Sequence, residues 1–269
     1  MFRYELKKIF GKKKLVILGA FYILLMFYCL FLMVGSKEFL GDGGEVLLQF
    51  TGGFDYFILV NVCIVIVTVA ALFPLERETG LSQVLLASKY GKNRLAMVKI
   101  GAALFLANAF FAVIVLVLIL GYVAVFGRDF AIPIAQAGAF GLEYAIDPGI
   151  GTYGDLLFMM MAGVFLSINF TVLFTMSLSI KFRRALPAAA SVIFLYFAST
   201  FLPEIPVLGF VFNLSPICLG MRAVTYKVLF SIGSLSVTVL HVGMAVYLLL
   251  IGALFARVKS AYSKNPLRH

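Results

Sequence analysis

The chain is short of charge. Asp, Glu, Lys and Arg make up 13% of its 269 residues, and tryptophan is absent. A soluble domain carries about 25% charged residues and about 45–50% apolar ones. Here the apolar share is 63% and the mean hydropathy +1.08. A water-soluble fold of this length has no interior large enough for that many apolar side chains. The bilayer is therefore the expected solvent.

Chemistry-bearing patterns are equally scarce. Cys29, Cys63 and Cys218 form no C-x-x-C pair and have no histidine cluster beside them, which argues against a metal site or a disulfide framework. They read as small buried hydrophobes. No H-E-x-x-H, G-x-S-x-G or paired carboxylates occur, so the chain is not expected to be an enzyme. Residues 149–154, "GIGTYG", match G-x-G-x-x-G, but they precede an apolar run instead of sitting between a strand and a helix. Gly91-Lys92 lacks both the upstream glycine and the following Ser or Thr of a phosphate-binding loop. No cofactor, metal or nucleotide site is expected in this chain.

What the sequence does contain is six long apolar runs, over 15–34, 56–75, 101–126, 156–180, 185–202 and 235–256. Each approaches or exceeds the roughly 17–25 residues that carry a helix across hydrocarbon. The first is longer than the core of a cleaved signal peptide and is followed by "VGSKEF", which has no A-x-A-like site. It reads as a retained span.

The net charge of +10 could suggest nucleic acid, but its distribution excludes that partner. Lys and Arg number six in 1–14, five in 76–99, three in 181–184 and four in 257–269, which is 18 of the 22. Nine of the 12 acids lie in the alternate loops. The positive-inside rule then places both termini, the 76–99 segment and the 181–184 turn in the cytoplasm, against anionic membrane lipids. Phe2, Leu6, Ile9 and Phe10 recur at helical spacing among basic residues, the pattern of an amphipathic helix lying on the inner surface.

The outer segments 35–55 and 127–155 are rich in Gly, and the latter contains Pro133 and Pro148. Residues 203–234 are too apolar for an ordinary exposed loop, and Pro203, Pro206 and Pro216 divide them into pieces too short to span. A re-entrant or interfacial helical element on the outer side is expected there. The fold class is thus an all-α polytopic membrane protein with a single domain over 1–269.

Within the runs, polar residues are few: Asn61, Asn108, Asn169, Thr171 and, as the one ionisable group, His241. Two roles fit them. They hydrogen-bond helix to helix, or they line a translocation path. For His241 the second role extends to contacting cargo or sensing pH. A secondary transporter driven by ions would be expected to carry more intramembrane charge and an internal repeat, and neither is visible.

The charged interlude "ERETGLSQVLLASKYGKNR", residues 76–94, interrupts this apolar chain. Leu81, Val84 and Leu85 fall at i, i+3 and i+4 and form one apolar stripe. Glu76 and Glu78 at its start and Lys89 near its end suit a helix macrodipole. Gly80 permits a bend after the second run, and "KYGKN" reads as a turn before a helix resumes at Arg94. Such a helix either rests on lipid headgroups or docks its stripe into a groove of a cytoplasmic partner.

The pattern Glu76-x-Glu78-x-Gly80, then Leu85-Leu86-x-Ser88-x-Tyr90-Gly91 and Lys99, resembles the segment between spans two and three of type-2 ABC-transporter permeases. The basic "FRYELKKIF" opening and the order of six runs are similar to that family as well. The resemblance implies a permease subunit of an ATP-driven exporter in the cell membrane. It also implies a coupling helix made of Glu76, Glu78, Gly80, Leu81, Val84, Leu85 and Tyr90. The partners implied are an ABC ATP-binding subunit, which would hold the ATP and magnesium, and a second permease chain, identical or paralogous. The uncharged spans favour an apolar or amphipathic cargo such as a peptide, drug or lipid. The length of the 127–155 segment departs from a minimal family member. A non-transporting membrane sensor or immunity protein, binding a peptide or lipid through its outer loops, is the alternative.

Overall fold

A computed structural model describes residues 16–31 (except 18, 25 and 29), 58–74, 91–127, 131, 152–182, 184–201, 228–232 and 235–264. Six helices and one strand pair are seen among them. The helices are α1 (Gly19–Tyr28), α2 (Ile58–Ala70), α3 (Gly91–Phe126), α4 (Tyr153–Ser179), α5 (Ala185–Phe201) and α6 (Val239–Lys264). Strands β1 (Val228–Ile232) and β2 (Leu235–Thr238) pair antiparallel just before α6.

Three stretches, Arg94–Ala124, Leu157–Ser179 and Val239–Ala261, are long and apolar enough to cross a bilayer. Their outer surfaces are apolar too. Phe31, Phe158, Leu186 and Leu249 are all more than two-thirds exposed. Each Å² of such surface would cost about 25 cal/mol in water, so hydrocarbon is its natural solvent. The chain is a membrane protein. The shorter helices α1, α2 and α5 fall within the first, second and fifth expected runs.

α4 is the hub. In its most apolar 18-residue window 59% is buried, against 29% in α3 and 22% in α6. Ring and amide contacts set the helix directions. Asn108 meets Asn169 while Phe111 meets Phe165, so α3 and α4 run antiparallel. The 180–184 turn, closed by Lys181 N–H donating to Leu178 O at 2.8 Å, sends α5 back along α4. Tyr247 stacks edge-on to Phe170, and Leu240 shares a cluster with Met159 and Leu166, which precede Phe170. α6 therefore runs parallel to α4.

Local chemistry explains the helix ends. Pro74 offers no N–H to the carbonyl of Ala70, and α2 stops there in a turn over 71–73. Gly127 closes α3 at φ +76, with its N–H on Val123 O at 2.9 Å, the left-handed C-terminal position that glycine tolerates best. Thr152 caps α4 in a capping box with Asp155.

Three expectations need correction. Residues 228–232 belong to a strand instead of the expected helical element over 203–234, and the last helix begins at Val239 instead of 235. "VLFSIGSLSVT" explains the difference: β-branched, aromatic and Ser residues flank Gly-Ser, so a two-residue connection joins Ile232 to its partner Leu235. The helix expected to resume at Arg94 starts three residues earlier, at Gly91. The N-terminal amphipathic helix (Phe2, Leu6, Ile9 and Phe10) lies outside the described residues.

Candidate functional site

The helix directions bring one kind of charge to one end. Arg94 lies 14 residues before Asn108 and Lys181 lies 12 after Asn169, which puts each about 18–21 Å from that pair along its axis. Arg184 opens α5, and Arg257 and Lys259 follow Tyr247 along α6 by a similar stretch. All five are exposed, and all lie at the same end of the bundle. Asp155, the one acid among the described residues, caps α4 at the opposite end.

Lys99 sits just inside the cationic end and is fully buried. Its Nζ donates to Leu72 O at 3.1 Å and lies 4.9 Å from the centre of the Phe73 ring. A buried ammonium costs several kcal/mol unless it is compensated. Part of the compensation comes from the Leu72 carbonyl in the turn just beyond α2, next to the helix's C-terminal end, which carries the negative pole of its dipole. The ring face adds a cation–π term. The expected third run begins at 101 and leaves Lys99 outside it, whereas the apolar helical stretch Arg94–Ala124 includes Lys99. Its position after Leu95 and Ala96 puts it on the buried stripe of α3. Since every face of that helix is apolar, the stripe was invisible in the sequence.

The coupling residues Glu76, Glu78, Gly80, Leu81, Val84, Leu85 and Tyr90 lie outside the described residues. Their two anchors do not. α2 ends and α3 begins at the cationic end, so the 75–90 segment leaves from and returns to that end.

Of the five polar candidates, the structure joins two directly. Asn108 Nδ2 donates to Asn169 Oδ1 at 3.0 Å, and Asn169 Nδ2 donates back to Asn108 Oδ1 at 3.2 Å. Each amide also donates to the carbonyl four residues earlier, Leu104 O and Phe165 O, both at 2.8 Å. This is a closed clip between α3 and α4. Thr171 Oγ1 bonds Ser167 O at 2.7 Å and the hydroxyl of Tyr196 on α5. Tyr196 was not singled out from sequence, because a tyrosine in an apolar run carries no signal of a partner 25 residues away.

His241 is a capping residue. Thr238 N–H points to His241 Nδ1 at 3.3 Å, the Thr238 hydroxyl lies 2.8 Å from that nitrogen, and His241 N–H reaches Thr238 Oγ1 at 3.4 Å. The same three contacts join Thr152 and Asp155, at 3.2, 2.7 and 3.2 Å. Histidine stands at the beginning of α6 where a carboxylate stands in α4. Nδ1 accepts from a backbone N–H, the part that Asp155 Oδ2 plays at the start of α4.

Asn61 differs from the other four. It is fully buried in α2, and neither its Nδ2 nor its Oδ1 has a partner among the described residues. Thr175 Oγ1 on α4 is orphaned in the same way. Among the described residues no group of three His, Cys, Asp or Glu could hold a metal.

No family model, curated protein or solved structure matches the chain. Its function has to be argued from its own residues.

Proposed function

We propose that this chain is the membrane-spanning permease subunit of an ATP-driven exporter of the type-2 ABC kind. It has six spans, both termini in the cytoplasm of a cell membrane, and an apolar or amphipathic cargo such as a peptide, drug or lipid. ATP is hydrolysed by a separate ABC ATP-binding subunit carrying its own magnesium. A second permease chain, identical or paralogous, completes the pathway.

The observation that carries this reading is where the flanking helices stand: α2 ends and α3 begins at the end of the bundle where the exposed cations gather. Positive charge marks a cytoplasmic face. There the stripe of Leu81, Val84 and Leu85, flanked by Glu76 and Glu78, is offered where an ATP-binding partner would be found. Closure of the partner subunits pushes on this helix, and α2 and α3 transmit the motion into the packing around α4.

Truncating a buried apolar anchor at an interface costs about 2 kcal/mol or more. Leu85→Asp is therefore expected to release the ATP-binding subunit from the purified complex while the permease still inserts and folds. Lys92→Ala, beyond the stripe, is expected to leave the complex intact. Normal copurification of Leu85→Asp with an ATPase would contradict this assignment of the docking residue.

A further inference from the structure

Lys99 has a consequence beyond its own burial. It bridges 27 positions of sequence, from α3 back to the 71–73 turn that ends α2, and the 75–90 segment lies between these two points in the chain. Leu95, Ala96 and Ile100 of α3, Val69 of α2 and Leu72 and Phe73 in the turn after it are all buried. Apolar packing stabilises such a pair but specifies one arrangement less sharply, since cores lose uniqueness and rigidity before they lose stability. A hydrogen bond from an ammonium to one named carbonyl specifies it more sharply, because distance and direction are both prescribed.

We infer that Lys99 is a positioning residue that locks the end of α2 to the start of α3 in one register, so that both ends of the 75–90 segment move as a single body. Without it the two helices remain packed but can slip against each other, and a push on the segment would be absorbed at its base. The source of that push rests on the permease reading above. The strap itself does not.

The test uses the full chain in nanodiscs, with Cys29, Cys63 and Cys218 replaced by Ala. Spin labels are placed at Val67→Cys on α2 and Met97→Cys on α3, both of which are exposed. Pulsed electron–electron distances are expected to be narrow and single with Lys99 present. They should broaden or split in Lys99→Met, which fills the space without a donor, and in Lys99→Gln, whose amide is too short to reach Leu72 O. Lys99→Arg, which keeps charge and donor, is expected to restore the narrow distance. A lowered melting temperature with an unchanged narrow distance in either Lys99→Met or Lys99→Gln would overturn the inference and leave Lys99 as a packing residue. The distance measurement needs no nucleotide. Failure to find an ATP-binding partner would thus remove the proposed function and leave this result standing.

Discussion

Asn108 and Asn169 face each other across α3 and α4 with every amide hydrogen used. Interhelical hydrogen bonds in membranes contribute about 0.6 kcal/mol on average and rarely more than about 1.7. Asn108→Ala alone should therefore destabilise by about 1–2 kcal/mol, because it also strands the Asn169 amide. The double variant Asn108→Leu with Asn169→Leu should cost less than the two single leucine variants added together. Melting temperatures in detergent for the four-member cycle check this, and strict additivity would mean that the two amides do not act together. Asn61 predicts the opposite sign. Its amide has no partner to lose among the described residues, so Asn61→Leu should leave the melting temperature unchanged or raise it. A loss of about 1 kcal/mol or more, the usual value of a hydrogen bond, would show that Asn61 is bonded after all.

At the scale of elements, His241 does for α6 what Asp155 does for α4. Replacing an N-terminal capping group typically costs about 1 kcal/mol. His241→Leu should fray the first turn of α6, whereas His241→Gln, whose side chain can still accept from Thr238 N–H, should be close to neutral. Hydrogen exchange at residues 239–243 reads this directly; equal protection in both variants would sink the capping role. The sequence made such elements legible to different degrees. The long runs that became α3, α4 and α6 stood out because length and hydropathy alone identify them. Which face of each run packs inward did not. In α3 the buried Leu106 and Ile114 and the exposed Phe105 and Leu116 are chemically alike, so no period separates core from lipid. The 228–238 hairpin was overlooked because its apolar content outweighed its alternation with Ser. The capping role of His241 went unread, although Thr238 stands three residues earlier at the spacing of a capping pair.

For the whole molecule, the gathering of Arg94, Lys181, Arg184, Arg257 and Lys259 at one end turns a count of loop charges into a geometric statement. It predicts that in a cysteine-free background Glu143→Cys reacts with a membrane-impermeant maleimide in intact cells. Ser88→Cys and Lys259→Cys should react once the membrane is opened. Labelling of Ser88→Cys from outside would invert the proposed topology. The central claim is that the 76–90 segment is gripped from the cytoplasm by an ATP-binding subunit. Its most direct measurement places a photo-cross-linking amino acid at Val84, illuminates cells expressing the chain, and identifies the product by mass spectrometry. The expected product is one defined adduct with a subunit carrying a phosphate-binding loop, absent when the probe is moved to Glu143. Adducts with lipid alone at Val84 would mean that the helix merely rests on the membrane, and would contradict the account.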